Sequence, residues 1–433
     1  MAPIVHTTNI EVQDATRILT PSPVHTPSNS SQRTDSPMRI LVCPSGFKES
    51  LDTNVVADCI EEGILRVAPD AIVRKTPLFD GGEGFARALT LATGGELRIL
   101  TITGPVNVRL SSHYGLLGRK RPKTAVLDMA AAAGLRLVPK ALRNPTVTTT
   151  YGVGELVCAA LGEGVERIII GCGDSGTCDG GAGMLQALGA RLLDINGHEL
   201  PRAAGGISLC KLASIDFTGL HPRLSQVEIE AACNGRNVLC GPQGVSRVYG
   251  PQKGATITEI EVLETAMNNY ALVASRRLGR DVSTLPGSGA SGGLGTALLL
   301  LGASLRPRYE AVTEYFGIND DLFRSCQLVF TAEGCIDAQT TQGKIPAEVA
   351  VRAKKHGLPV IVLAGTVGDN AKANYLVGID AFTSIMQAPI SLETAMENAE
   401  ALLKDSAESV MRVVKLGKSL QAASTNMFGA RSM

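Results

Sequence analysis

Six short loops place glycines beside charged or hydroxyl side chains: Phe79-Asp-Gly-Gly-Glu-Gly84, Gly171–Gly183, Cys233-Asn-Gly-Arg-Asn237, Gly250-Pro-Gln-Lys-Gly254, Gly287–Gly295, and Ala332-Glu-Gly-Cys-Ile-Asp337 with Lys344 close behind. Glycine lets backbone N–H groups face phosphate oxygens. Carboxylates without a histidine cluster suit a hard cation such as Mg2+. Lysines neutralise the charge that develops on a phosphoryl group in transfer. Together these residue types describe a phosphotransfer site. Taken singly, each loop also reads as a tight turn between strand and helix, and Asp179 and Asp337 also read as helix caps.

Other chemistries are served less well. The only GKS, Gly417–Ser419, has Arg412 where a phosphate-binding P-loop needs its first glycine. There is no HExxH, and His113, His198, His221 and His356 stand alone. Two stretches fit GxGxxG: Gly287–Gly292, and Gly171-Cys-Gly-Asp-Ser-Gly176 after the apolar run Glu166–Ile170. The second, with Asp194 downstream, leaves an NAD-dependent oxidoreductase as an alternative. Against it, Thr177–Gly181 delays the helix, and Asp174 and Asp179 put like charges where a pyrophosphate would lie.

The elements that position these loops alternate. Strand signals fall at Met38–Pro44, 71–76, 166–170, 227–233, 328–331 and 359–364. Helical patterns fall at 53–67, 151–162, 183–190, 257–279, 347–356 and 392–414, and short alternating segments fill 97–127. Thr296–Leu305 reads as a buried helix, too short for the ~18 apolar residues of a membrane span. This order argues for an α/β fold with largely parallel sheets.

Composition narrows the class further. The 433 residues carry 41 basic and 41 acidic side chains, so no global field points to nucleic acid or an anionic membrane. Aromatic residues, at 4%, give little surface for stacking bases. Ten scattered cysteines without a CxxC pair suggest a reducing cytoplasm. Residues 1–37, rich in Ser, Thr and Pro, read as a disordered tail. A mitochondrial presequence fits worse, because Glu11, Asp14 and Asp35 outnumber Arg17 and Arg33. The chain end, 416–433, is expected to fray.

Over residues 38–410 the sequence resembles the type 1 glycerate kinases. The matching stretches include FKESL at 47–51, DGGEG at 80–84, RNPTVTTTYGVGEL at 143–156, DGGAGMLQALGA at 179–190, YGPQKGA at 249–255, ASGGLGTAL at 290–298, the Glu333–Thr340 segment and PVIVLAG at 359–365. The resemblance implies two different α/β domains, one flavodoxin-like and one restriction-enzyme-like, one inserted into the other. The expected insertion is 72–285, with 38–71 plus 286–415 as its discontinuous partner and the site in the cleft between them. It implies transfer of phosphate from ATP, with Mg2+, to a small hydroxy acid, D-glycerate to 2-phosphoglycerate foremost.

Under that resemblance the catalytic candidates are Lys48, Asp80, Glu83 and Lys253. Candidates for binding substrate or phosphate are Ser175, Thr177, Asp179, Gly180, Gly181, Asn234, Asn237, Gly292, Gly293 and Lys344. The metal candidates are Asp80, Glu333 and Asp337. Departures from the family pattern sit in the loops. Ser45, Asn234 and Arg236 stand where the family carries acids, Asp174 where it carries glycine, Cys178 where it carries an amide, and Cys335 where it carries arginine. Loss of a carboxylate removes a metal ligand or base, and loss of arginine removes a bidentate clamp. The expectation is a kept fold with an altered site: a diverged kinase for a specialised pathway or, alternatively, an impaired homologue that only binds.

Overall fold

The computed structural model describes residues 36–429 except 48–49, 79–81, 119–120 and 317–318, with no side-chain account for 309, 313, 342 and 421–429. The strands are β1 (Arg39–Val42), β2 (Ile72–Lys75), β3 (Glu96–Thr103), β4 (Arg109–Leu116), β5 (Thr124–Asp128), β6 (Arg167–Gly171), β7 (Arg191–Leu193), β8 (Ser214–Asp216), β9 (Glu228–Cys233), β10 (Ser304–Pro307), β11 (Leu328–Ile336), β12 (Val360–Val367) and β13 (Ala381–Ser384). The helices are α1 (Thr53–Val67), α2 (Phe85–Ala92), α3 (Ala130–Ala133), α4 (Tyr151–Gly162), α5 (Ala182–Ala187), α6 (Val245–Tyr249), α7 (Ile257–Leu278), α8 (Ala290–Leu300), α9 (Arg308–Tyr315), α10 (Asp320–Arg324), α11 (Ile345–Lys355), α12 (Leu392–Glu397) and α13 (Ala399–Gly429).

The first sheet has five parallel strands in the order β2-β1-β11-β12-β13. Renumbered within its own lobe that is 2-1-3-4-5, the flavodoxin-like order, which reverses between β1 and β11. The second sheet runs β10-β9-β6-β5-β4-β3. It is parallel from β5 to β10, with the β3–β4 hairpin running antiparallel at one edge.

Strand alternation sorts the core into layers. Ile40 and Val42 of β1 face α1 and α13, packing on Ile60, Ile64, Leu403 and Met411. Leu41 and Val329 face the other way, into a layer with Phe85 of α2 and Val349 of α11 that also takes Val126, Ile169 and Ala232 from the second sheet. The far side of the second sheet packs on α4, α5, α7 and α8, with Tyr270 fully buried. One apolar layer therefore serves both sheets.

Sheet pairing does not follow the expected limits of the insertion. The 72–75 strand pairs with β1, and the 304–307 strand pairs with β9. The second of these, β10, lies inside the run read as one helix over 296–305. Gly302, at φ 80, ends that helix, and the short, Pro-terminated edge strand has no alternation to betray it. Helix α13 continues through 416–429, where fraying was expected. Of the tail expected over 1–37, residues 1–35 lie outside the described residues. Among the described residues no helix is long and apolar enough to cross a membrane.

Candidate active site

In open α/β sheets ligands bind beyond the carboxyl ends of the strands, where the order reverses. In the first lobe that point lies between β1 and β11. The chain leaving β1 follows β11 for two more residues: the Cys43 amide donates to the Phe330 carbonyl at 2.8 Å and the Ser45 amide to the Ala332 carbonyl at 2.8 Å. Lys48, just beyond, lies outside the described residues.

On β11 itself, Glu333 is 5% exposed and accepts from the Thr340 hydroxyl at 2.6 Å. The Lys344 ammonium stands 3.5 Å from Glu333 and 3.1 Å from Asp337, and reaches the Cys335 carbonyl at 3.4 Å. Asp337 also accepts from the amides of Gln339 and Thr340 at 2.8 and 3.1 Å. Burial pushes the Glu333 carboxyl up to about 7, although Lys344 opposes the shift. Sequence reasoning assigned Glu333 and Asp337 to a metal. An ammonium already bridges them, and among the described residues no three metal-capable side chains converge. Two carboxylates on one loop could hold Mg2+ only together with phosphate oxygens and water, and here the Lys344 ammonium stands between them. Asp80, the third metal candidate, lies outside the described residues.

In the second lobe the loop after β6 meets the turn after α6. Lys253 is 2% exposed; its ammonium donates to the Ser175 hydroxyl at 2.8 Å and the Thr177 carbonyl at 2.7 Å, and lies 3.7 Å from the Cys178 sulfur. All three partners are neutral acceptors. The Thr177 hydroxyl is buried without a hydrogen-bond partner. Burial raises the pKa of the Cys178 thiol, against the pull of the Lys253 charge. Among the described residues this buried cation has no carboxylate partner, and beside an unsatisfied hydroxyl such a charge is costly unless an anion completes it.

Asp179 and its glycines do something else. The carboxylate accepts from the Thr150 amide and hydroxyl, both at 2.8 Å, and from the amides of Gly181 at 3.1 Å and Gly183 at 3.2 Å. Those amides were the expected phosphate cradle, and Asp179 consumes them in tying α5 to the start of α4. Gly180 donates to the Gly292 carbonyl at 3.0 Å. A Cβ on Gly292, at φ 76, would sit 1.9 Å from the Thr177 carbonyl, and one on Gly293 would sit 2.8 Å from the Gly180 Cα. Gly180, Gly181, Gly292 and Gly293 therefore let two loops pack backbone to backbone, and Asp179 holds the fold rather than a ligand.

Beyond β9, the Asn234 side chain accepts from the Arg236 amide at 3.0 Å, and the Asn237 side chain accepts from the Tyr249 hydroxyl at 2.9 Å. This loop approaches the first lobe, since Arg236 opposes the burial-driven rise in the pKa of Glu348 on α11. A second link joins the turn before α2 to the β6 loop: the Glu83 amide donates to the Asp174 carboxylate at 3.3 Å, and Arg136 pairs with Glu83 at 3.0 Å. Asp174 adopts φ 49, a strained left-handed conformation for a side-chain-bearing residue.

The structure thus gathers Lys253, Ser175 and Thr177 in one group, Glu333, Asp337 and Lys344 in another, and Glu83 with Asp174 in a third. Sequence reasoning missed the Thr340 hydroxyl and the Arg136–Glu83 pair. The NAD alternative loses its geometry. Asp194 follows β7, which pairs with β8 in a ribbon separate from both large sheets, and its carboxylate caps the amides of Asn196 and His198.

Known proteins place this arrangement. A family model described as "Glycerate kinase family" matches residues 40–415. The chain is 44% identical over 384 residues to a glycerate kinase of Bacillus subtilis (strain 168), covering 88% of this chain and 99% of that protein. It is 44% identical over 363 residues to a glycerate 2-kinase of Escherichia coli (strain K12), covering 84% and 94%. A crystal structure described as a glycerate kinase 2 from Salmonella typhimurium LT2 superposes with a TM-score of 0.70 at 45% identity, covering 88% of this chain and all of that one. The chain belongs to the glycerate kinase family and is a phosphotransferase of the kinase class.

Proposed function

We propose that this protein transfers the terminal phosphoryl group of ATP to a hydroxyl of D-glycerate, giving 2-phosphoglycerate. The observation that carries the reading is the buried Lys253 ammonium, held by Ser175, Thr177 and Cys178 without a counter-ion among them. It fits an anionic oxygen of nucleotide or substrate, whose charge it would stabilise in a site closed to water. Lys344, at the strand-order reversal, supplies a second cation. Glu83, whose amide donates to Asp174 of the β6 loop, would orient the substrate hydroxyl, and positioning counts for more than basicity in such a transfer. Asn234 and Asn237 offer amide groups for the remaining hydroxyl. Lys48 and Asp80 stay catalytic candidates on their sequence alone.

Mg2+ would accompany ATP as its phosphate counter-ion; no step here is drawn through it. The ten cysteines, all free, favour a reducing cytoplasm as the place of work. The test is ADP release with D-glycerate against a panel of hydroxy acids, with phosphorus NMR separating the 2-phospho from the 3-phospho product. Phosphorylation of another hydroxy acid, or at the 3-hydroxyl, would replace this reading.

A further inference from the structure

Among the aromatic rings of the described residues, only Tyr375 is exposed, at 48%. It lies in the segment that joins β12 to β13, beyond the carboxyl end of β12. Phe382 of β13 stacks on it, with ring centroids 5.0 Å apart and planes 25° from parallel. One face of the Tyr375 ring is braced in this way, and the rest of the ring meets water. Leu376, next in the chain, is 90% exposed, and Val367 at the end of β12 is 46% exposed.

Hydrogen bonds fix this segment to the loop that carries Asp337. The fully buried Asn374 donates from Nδ2 to the Asp337 carbonyl at 2.8 Å and to the Ala371 carbonyl at 2.9 Å. The Ala338 amide donates to the Asp369 carbonyl at 3.1 Å, and the Gly368 amide to the Ile336 carbonyl at 2.8 Å. The exposed ring therefore follows directly on a side chain bonded to the backbone of Asp337, whose carboxylate holds the Lys344 ammonium at 3.1 Å. A nucleotide joins the two matching chemistries, since its phosphates are anionic and its base has a flat π face. A second protein fits less well. A stable interface buries ~800 Å² on each partner, far more than three exposed apolar side chains supply.

We propose that the free face of Tyr375 stacks on the base of the nucleotide, with the phosphates running toward Lys344. The inference rests on the kinase reading for the identity of the ligand. The low aromatic content of the chain is no obstacle: a mononucleotide needs one ring, where a nucleic-acid strand needs several. Every base has a π face, so the ring supplies affinity without choosing among bases. ATP and GTP should depend on it alike.

The experiment titrates wild type, Tyr375→Ala and Tyr375→Phe in a calorimeter with ATP and, separately, with inorganic tripolyphosphate, which has the phosphates without the base. Wild type should bind ATP more tightly than tripolyphosphate. The alanine variant should bind ATP about tenfold more weakly than wild type does, and tripolyphosphate within about twofold. The phenylalanine variant should match wild type for both, because the ring and not the hydroxyl makes the contact. In ADP release the alanine variant should show a KM for ATP about tenfold higher, with kcat and the KM for D-glycerate within about twofold. Wild-type affinity for ATP in the alanine variant would overturn the proposal. So would equal losses for ATP and tripolyphosphate, the mark of a merely structural residue. Tyr375→Leu keeps an apolar contact with Phe382 but has no π face; it replaces the alanine variant if that one does not fold, and the same outcomes decide. If wild type binds ATP but releases no ADP with any hydroxy acid, the functional reading fails, while the titrations still decide whether the base stacks on Tyr375.

Discussion

The ammonium of Lys253 lies 2.8 Å from the hydroxyl of Ser175, and the same hydrogen-bond set ends on a carbonyl and a thiol rather than on a carboxylate. A buried lysine held only by neutral acceptors retains most of its attraction for an anion. The β6 loop, which supplies all three acceptors, is in turn shaped by Asp179 within it and by the glycines of the 287–295 loop packed against it.

Lys253→Met should therefore separate chemistry from stability. Methionine fills a similar volume and removes the buried charge, so the melting temperature should hold or rise. Turnover should fall by more than ~100-fold. A thermal scan beside an ADP-release assay checks both. Normal turnover with a large drop in melting temperature would make Lys253 a structural residue.

Asp179→Ala should behave in the opposite sense. It strands the amides of Thr150, Gly181 and Gly183 and the Thr150 hydroxyl without an acceptor. Unfolding in urea should show a loss of about 3 kcal/mol. A variant that keeps its stability but loses substrate affinity would return Asp179 to the list of ligands.

Gly292→Ala tests the packing of the two loops. The residue sits at φ 76, and the new methyl would have to displace the Thr177 carbonyl that lies 1.9 Å from its ideal position. Destabilisation of at least ~2 kcal/mol is expected, together with weaker protection of the fold by ATP. Denaturant midpoints with and without nucleotide measure it.

Glu333 gives a pH signature. Its carboxyl is raised from 4.5 to about 7, chiefly by burial, so the folded chain holds that proton more tightly than the unfolded chain does. The stability this supplies is complete below about 4.5 and is lost as pH rises through about 7. Glu333→Gln should flatten stability across that window and leave the variant more stable than wild type at pH 8. Chemical denaturation at pH 5 and pH 8 is the check, and a variant with the wild-type slope would show that Glu333 does not titrate there.

Much of the fold was legible because its signals are local. The buried strands β6, β9, β11 and β12 announce themselves as apolar runs, and α1, α4 and α7 by their periodicity. Edge elements were not: β10 hides in an apolar run, and β13 and the β7–β8 ribbon are too short and too exposed to stand out. At the site, sequence marked Ser175, Thr177, Lys253, Glu333 and Lys344 as candidates, which the structure brings into two groups, but it did not reveal that the Asp179 carboxylate takes the amides of its own loop. The reason is physical. A Gly-rich loop with an acid looks alike whether its amides face a phosphate or their own carboxylate, and only the distances of Gly181 and Gly183 to Asp179 separate the cases.

The central claim is that the Lys253 and Lys344 loops serve one phosphoryl transfer. It is tested most directly by ADP release from purified protein given ATP, excess Mg2+ and D-glycerate. Steady ADP production that requires D-glycerate, and that Lys253→Met and Lys344→Ala each reduce by more than ~100-fold, is the predicted result. ADP production no higher with D-glycerate than without it, from folded protein whose melting temperature ATP raises, would contradict the account and leave a protein that binds nucleotide without transferring phosphate to glycerate.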